Sequence, residues 1–454
     1  MGWRCPIVAL SVYQVRVRAV TGALVWDGTA FQADRAILID DDVVSRVVTS
    51  KDAPAGSEVE DWGEVAILPG TVNAHGHAFQ SLLKGFAADR PFASWRDDVL
   101  YPFSERLDRD AIHAGALFAF AEALLAGVTT TVDFFYLHDG GNANAEAVIE
   151  AARALGIRVV FARTFYDPDA PTAAPARYRE EASDAAERTR DAAKRWGSHP
   201  LVSVQPAPHS LHGASPETIR TALEVASELD VVCHLHLAEA RYERELIVER
   251  YGLSPVRLLD KEGLLTDRLV AVHAVWVDEE ELDLIAAAGA GVVHCPGANA
   301  FLGDGMARVP EMLARGIRVA LGPDGGCAND RQSVFDEMRM ASLLAKARLE
   351  DGAALDAATV LKLGTVAGGD MLRLPVGAIA SGMKADLVAL DLTDLSLLPS
   401  QTLESQVVHS MQPTAIARVM VGGRVVVERG RLTTIDHAEI RGRVAAATAT
   451  WTRP

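Results

Sequence analysis

The chain is poor in cysteine: four in 454 residues, and no two in a Cys-x-x-Cys pair. With only Cys5, Cys233, Cys295 and Cys327, it lacks a thiolate zinc motif and a disulfide framework, which fits a reducing cytoplasm. Histidine and carboxylate must therefore supply the ligands of any bound metal. Basic charge is also scarce, with 44 Lys and Arg against 61 Asp and Glu for a net charge of −17. Nucleic acid and anionic membrane surfaces both want a basic face, so neither is expected as a partner. No run of 18 apolar residues occurs, so no membrane span is expected. The opening Met1-Gly2-Trp3-Arg4-Cys5-Pro6 lacks a small-residue cleavage pattern after its short apolar run. It reads as a loose leader or a misplaced start rather than a signal peptide.

What is present is an ordinary globular composition, 49% hydrophobic and 23% charged, with length for a barrel of about 250 residues and a second unit. From about Val15 to Leu68 the chain reads as short strands with turns, such as Ala23–Trp26 before Asp27-Gly28 and Ala36–Ile39 before Asp40-Asp41-Asp42. The last eighty residues do the same, with Asp386–Asp391 as a strand and Val419–Val421 turning at Gly422-Gly423 into Arg424–Val427. These β-rich ends, residues 1–68 and 375–454, are expected to form one composite β-sandwich. Between them, over 69–374, apolar runs alternate with helix-length amphipathic stretches. The runs are the segment before His75, then Val128–Phe134, Arg158–Arg163, Leu201–Gln205, Val231–His236, Leu269–His273, Gly291–Cys295 and Arg318–Gly322. Helices are expected over Ala119–Ala126, Ala147–Leu155, from an N-cap at Ser183 to Trp196, and over Pro216–Leu229. Eight β-α units in about 300 residues predict an α/β fold with a closed (β/α)8 barrel. An open doubly wound sheet would want a glycine fingerprint after its first strand, and there is none.

In such a barrel the polar residues just past the strand C-termini converge. Two of them, His75 and His77, lie two apart on an extended segment, so both imidazoles can reach one ion. His209 follows strand four, His236 and Glu239 follow strand five, His273 ends strand six and Asp324 follows strand eight. Each alone has a structural explanation: His234 or His294 as core histidines, Asp324 as part of the Pro323-Asp324-Gly325-Gly326 turn. Their shared position at strand ends points instead to one site.

Leu68-Pro69-Gly70 through His75-Gly76-His77, His234-Leu235-His236-Leu237-Ala238-Glu239, His273 and Leu321-Gly322-Pro323-Asp324-Gly325 together resemble the amidohydrolase superfamily. The closer resemblance is to its branch of aminohydrolases and chlorohydrolases: guanine, 8-oxoguanine, pterin, S-adenosylhomocysteine and triazine deaminases. Ser381-Gly382-Met383-Lys384-Ala385-Asp386-Leu387-Val388 is similar to that branch's re-entry into its composite sandwich. The resemblance implies His75, His77, His236 and Asp324 as ligands of one divalent metal, Zn2+ foremost, with Fe2+ or Mn2+ possible. Such an N/O set suits zinc, and the ion would make water nucleophilic near neutral pH. Asp324 would take the water's proton, Glu239 would protonate a ring nitrogen, and His273 would orient the water or stabilise the developing oxyanion. Dinuclear superfamily members bridge two metals with a carboxylated lysine at the end of strand four. No lysine lies between Lys194 and Lys261 here, so a mononuclear site is expected.

For the substrate, the candidate contacts are Gln80, Trp95, Arg163, His209 and His212. Trp95 serves equally as a packing anchor and Arg163 equally as a salt-bridge partner. Asn299 reads as a loop-shaping residue. The implied activity is metal-dependent hydrolytic deamination of an aminated N-heterocycle (purine, pterin or pyrimidine) by a cytoplasmic enzyme, dimeric by resemblance. Formiminoglutamate deiminase is the rival, because His77-Ala78-Phe79-Gln80 and Pro208-His209-Ser210-Leu211 resemble it, although its pattern has an arginine where this chain has His212. A triazine chloro- or alkylamino-hydrolase is a third reading. An inactive scaffold relative should have lost a ligand or Glu239, and none is missing.

Overall fold

Period-two and period-3.6 segments alternate from Thr71 onward, and in the computed structural model, which describes residues 18–452, they close into a barrel. Its eight parallel strands are Thr71–Asn73, Val128–Phe135, Arg158–Phe165, Val202–Pro208, Cys233–Leu237, Leu269–His273, Gly291–His294 and Arg318–Leu321. Strands one to four pair consecutively, as do strands five to eight. Two short seams join these halves. At one, Ser210 bridges His236 and the His236 N–H reaches the His209 carbonyl at 3.1 Å. At the other, Ala74 N–H meets Leu321 O at 3.0 Å and Asp324 N–H meets His75 O at 3.1 Å. Both seams lie at the strand C-terminal ends and run through the predicted site residues. The second requires Gly322, since a Cβ there would sit 2.8 Å from the His75 backbone.

Helix boundaries follow local chemistry. Asp108 accepts the Ala111 N–H at 2.8 Å and opens the helix Arg109–Leu125, longer than the Ala119–Ala126 stretch that periodicity marks. Ala143–Leu155 ends on Gly156 at φ 79°, a left-handed C-terminus that glycine takes without strain. The expected cap at Ser183 is corrected: the helix is Ala182–Trp196, Glu181 holds the cap position, and Ser183 lies in the first turn. Strand four does not stop before Pro206. A strand needs a residue's N–H only where a neighbour's carbonyl faces it, so pairing with strand three continues to Pro208. That carries His209 to the mouth of the barrel.

The two chain ends build two further sheets. One has four strands, ordered Val43–Thr49, Arg35–Asp40, Arg18–Thr21 and Glu58–Asp61. The other has seven, and at its centre Leu387–Asp391 pairs antiparallel with Val65–Pro69, joining residues more than three hundred apart in sequence. Alternation explains its apolar runs. Val65 and Ile67, with Leu387 and Ala389, enter the sandwich core with Val20, Ile37 and Met420, whereas Ala66, Leu68, Val388 and Leu390 join the main core. The centre of the seven-stranded sheet is thus buried on both faces, as its Val/Ile/Leu runs demand. The expected leader Met1–Leu10 and the start of the first strand at Val15 lie outside the described residues. Among the described residues no helix is long and apolar enough to cross a membrane, and Cys233, Cys295 and Cys327 are free and buried.

Candidate active site

Strand ends carry the donors inward. His75 and His77 follow strand one on a segment fixed by Asn73, whose Oδ1 accepts the His75 N–H at 2.9 Å. His77 Nδ1 donates to the Phe134 carbonyl at 2.6 Å, and His236 Nδ1 donates to the His209 carbonyl at 2.7 Å. A carbonyl can only accept, so both rings present a bare Nε2 to the centre. Asp324 Oδ1 lies 3.4 Å from both His75 Nε2 and His77 Nε2. The His75 and His236 ring centroids are 4.9 Å apart. His75, His77 and Asp324 offer ligand atoms all within 4.8 Å of one another, and so do His75, His236 and His273. His75 is fully buried and neither of its ring nitrogens has a hydrogen-bond partner. An unpartnered buried polar atom costs about 1–3 kcal/mol, and an electrophilic ion at this point would satisfy it. The donor set therefore fits a divalent metal.

Electrostatics separates the acids. Burial pulls the His75, His77 and His236 imidazoles below their ordinary range, His77 to about 3, which keeps them neutral as ligands must be. Burial works to raise Asp324, but the close approach of His75 at 3.4 Å and the fields of His75, His77 and His273 hold it below the usual carboxylate range. Glu239 goes the opposite way: burial first, then Asp324 and Glu243, push it well above its ordinary value against a modest pull from Arg96. Two carboxyl groups in one pocket are thus pushed in opposite directions, Asp324 toward the ionised form and Glu239 toward the protonated one. His273 stands between them, its Nε2 3.5 Å from Glu239 Oε1 and 3.9 Å from Asp324 Oδ2, while its Nδ1 donates to Asn299 Oδ1 at 2.9 Å. Ala238, His273 and Asp324 all hold positive φ (51°, 75° and 66°), so backbone strain gathers at this centre.

Of the predicted substrate contacts, four lie on one pocket and one does not. Gln80, Trp95, His209 and His212 line it with His77, His236, Glu239 and Asp324. The Gln80 amide donates to Tyr136 Oη at 2.7 Å and accepts from Cys327 Sγ, and a Cβ on Gly325 would fall 1.8 Å from its Oε1. Trp95 anchors as well as lines, donating Nε1–H to Cys327 O at 2.9 Å. Arg163 is the correction. It is fully buried and turned away from the pocket, with Glu180 at 2.8 and 3.2 Å and Asn142 at 3.0 Å occupying its guanidinium. His234 is a core histidine on Gln205 at 2.7 Å.

Sequence reasoning missed much of the pocket's outer wall. Phe92, Arg96, Leu100 and Tyr101 come from the segment Phe92–Ser104, which contains a π-helical turn over Trp95–Leu100, and Tyr136 and Tyr178 complete the wall. Tyr136 had a signal, as a hydroxyl-bearing ring just past strand two; the wall segment has no periodicity to reveal its facing. Asn299, taken as loop-shaping, in fact fixes the His273 tautomer.

A closed (β/α)8 barrel with an imidazole–carboxylate cluster at its C-terminal mouth defines a metal-site hydrolase architecture. The model of the Amidohydrolase family matches residues 66–426, and the chain belongs to that family. A 5-methylthioadenosine/S-adenosylhomocysteine deaminase of Moorella thermoacetica is 33% identical over 415 residues, 90% of this chain and 93% of that one. A 5'-deoxyadenosine deaminase of Methanopyrus kandleri is also 33% identical, over the same shares of the two chains. Among solved structures, a zinc-bound adenosine deaminase of Xanthomonas campestris superimposes with a TM-score of 0.88 at 28% identity, covering 95% of this chain and 97% of its own. A zinc complex of an atrazine chlorohydrolase from Arthrobacter aurescens shares the fold at 24% identity and TM-score 0.88, over 94% and 99% of the two chains.

Proposed function

We propose that the chain is a zinc-dependent aminohydrolase that releases ammonia from an aminated N-heterocycle, with an adenine nucleoside as the first candidate. The observation that carries it is His273 Nε2 standing 3.5 Å from Glu239 and 3.9 Å from Asp324 in one buried pocket, with Glu239 pushed well above and Asp324 held below the ordinary carboxylate range. His75, His77, His236 and Asp324 would hold the ion, with Fe2+ or Mn2+ as substitutes for Zn2+. Bound there, it would make water nucleophilic near neutral pH. Asp324 takes the proton of the attacking water, and the bare Nε2 of His273 accepts its hydrogen bond and sets its direction. Glu239 gives its proton to the ring nitrogen beside the amino-bearing carbon. Water adds at that carbon, the proton held on Asp324 passes to the amino nitrogen, and the C–N bond breaks to release ammonia, while the hydroxyl proton of the adduct returns to Glu239 as the ring carbonyl forms. Gln80, His209 and His212 supply polar contacts to the ring, and Trp95 covers it.

The named activities of the relatives support an adenine nucleoside ahead of a pterin or a triazine. One observation favours the formimino reading: Arg96, stacked on Phe92, Tyr101 and Tyr242 and paired with Asp97 at 2.7 and 3.1 Å, brings a guanidinium to the pocket whose remaining N–H groups suit a substrate carboxylate. The division into a catalytic unit over 69–374 and a composite sandwich from 1–68 and 375–454 belongs to the proposal, supported by two separate hydrophobic cores. A homodimer and a cytoplasmic location belong to it on resemblance alone.

The test is ammonia release by the zinc-loaded protein from methylthioadenosine, S-adenosylhomocysteine, adenosine, guanine, pterins, an aminotriazine and formiminoglutamate. Release from an adenine nucleoside, abolished by Glu239→Gln, is expected. Release from formiminoglutamate alone would transfer the assignment to the second reading. Silence across the panel in a zinc-holding protein would refute both.

A further inference from the structure

Glu239 does not sit on a strand or a helix. It lies on the turn between strand five and the helix Arg241–Tyr251, directly after Ala238 at φ 51°. A left-handed alanine is strained and persists only when its surroundings fix it. The Ala238 carbonyl is held on one side, accepting the Val275 N–H at 3.0 Å and the Trp276 N–H at 2.9 Å. On the other side the Glu239 N–H has one acceptor, Glu243 Oε2 at 2.9 Å. Glu243 itself is 1% exposed and, among the described residues, forms no ion pair and leaves Oε1 without a partner. A buried carboxyl without a cation is expensive to keep, and the deamination chemistry above uses it only through its field on Glu239. Its place in the chain is four residues beyond Glu239, on the first turn of the helix, whose own Glu243 N–H is tied back to Ala240 O at 3.1 Å.

We propose that Glu243 is a positioning residue for the reaction: its side-chain oxygen clamps the backbone of Glu239 and thereby aims the proton-donating carboxyl at the substrate. The role depends on reach and on an acceptor oxygen, and it does not depend on charge. Burial lifts the Glu243 carboxyl to about 7, so near neutral pH a large fraction is uncharged while Oε2 still accepts. Glutamine at this position has the same length and one carbonyl oxygen, so it preserves the clamp. Aspartate keeps the carboxyl and is one methylene short. The inference rests on the reading of Glu239 as the proton donor.

The experiment compares kcat, KM and bound zinc in the zinc-loaded full-length protein and its Glu243→Gln, Glu243→Asp and Glu243→Ala variants, on whichever substrate releases ammonia. Displacement of a catalytic group by about an ångström costs up to about a hundredfold in rate. Aspartate and alanine are therefore expected to lower kcat by about ten- to a hundredfold, with KM and zinc content near wild type, and glutamine to stay within about threefold of it. Should the alanine variant fail to fold, the Gln-against-Asp comparison decides. The reverse order, with aspartate active and glutamine impaired, would overturn the proposal, since charge would then be what matters. So would wild-type kcat in both short variants, or losses that track zinc. Undiminished activity in Glu239→Gln would instead sink the underlying mechanism, so the two failures are distinguishable.

Discussion

Glu180→Ala isolates the question of what Arg163 does. The substitution removes two hydrogen bonds, at 2.8 and 3.2 Å, from a guanidinium that is fully buried, and leaves it Asn142 at 3.0 Å with two weak carbonyl contacts. Glu180 also pairs with Arg188, which is 38% exposed and can turn to water. The cost is therefore mainly that of one uncompensated buried cation, about 3–5 kcal/mol. Unfolding entropy of about 2.1 cal/mol/K per residue comes to about 1 kcal/mol/K for 454 residues, so the melting midpoint should fall by about 3–5 °C. The assay pairs calorimetric melting with kcat and KM at 25 °C, well below the transition. Both kinetic constants should stay within about twofold of wild type. Replacing the pair by Arg163→Met with Glu180→Leu should recover much of the stability, because an apolar pair of similar volume removes the desolvation cost. An unchanged melt together with a KM raised about tenfold would show that Arg163 contacts substrate and that its burial reading is wrong.

Chelation of the metal should abolish ammonia release and lower the melting midpoint, because His75 is left buried with unpartnered nitrogens; zinc should restore both, and activity that survives complete chelation would refute a metal mechanism. Asn299→Ala removes the acceptor of His273 Nδ1, and a fall in kcat of about ten- to a hundredfold at unchanged zinc content is expected in steady-state assays. Gly325→Ala would drive a Cβ to 1.8 Å from Gln80 Oε1 and break the Gln80–Tyr136 bond, so KM should rise and stability fall by about 1–3 kcal/mol in denaturant titration; tolerance of the alanine would mean the turn is looser than its packing implies.

Both the barrel and the ring of donors were legible because they rest on periodicity. Strand-end residues converge in a parallel barrel, so His75, His77, His209, His236, Glu239, His273 and Asp324 could be gathered from position without any distance, and the family resemblance chose the ligands among them. Side chains on irregular backbone carry no such rule. Arg163 was read as ending its strand as the donors do, yet the strand runs on to Phe165 and the guanidinium is taken by Glu180 on a later loop. Arg96 and Tyr101 were invisible because a π-helical turn changes which residues face inward. Glu243 was within reach as the second acid of His-x-x-Glu-x-x-x-Glu, but the backbone hydrogen bond that gives it meaning is not a sequence property. The strands at both ends were legible as short apolar runs, but the helices Leu403–His409 and His437–Thr448 among the last eighty residues were not. The order of the seven-stranded sheet was not readable, because the pairing of Val65–Pro69 with Leu387–Asp391 spans the whole barrel in sequence.

The most direct measurement is the metal content of the purified protein and its variants, by elemental analysis against protein concentration. One divalent ion per chain is predicted, lost in His75→Ala, His236→Ala and Asp324→Ala and retained in Glu239→Gln. Two ions per chain, or one that survives the loss of His75 and Asp324, would contradict the ligand set on which the account stands.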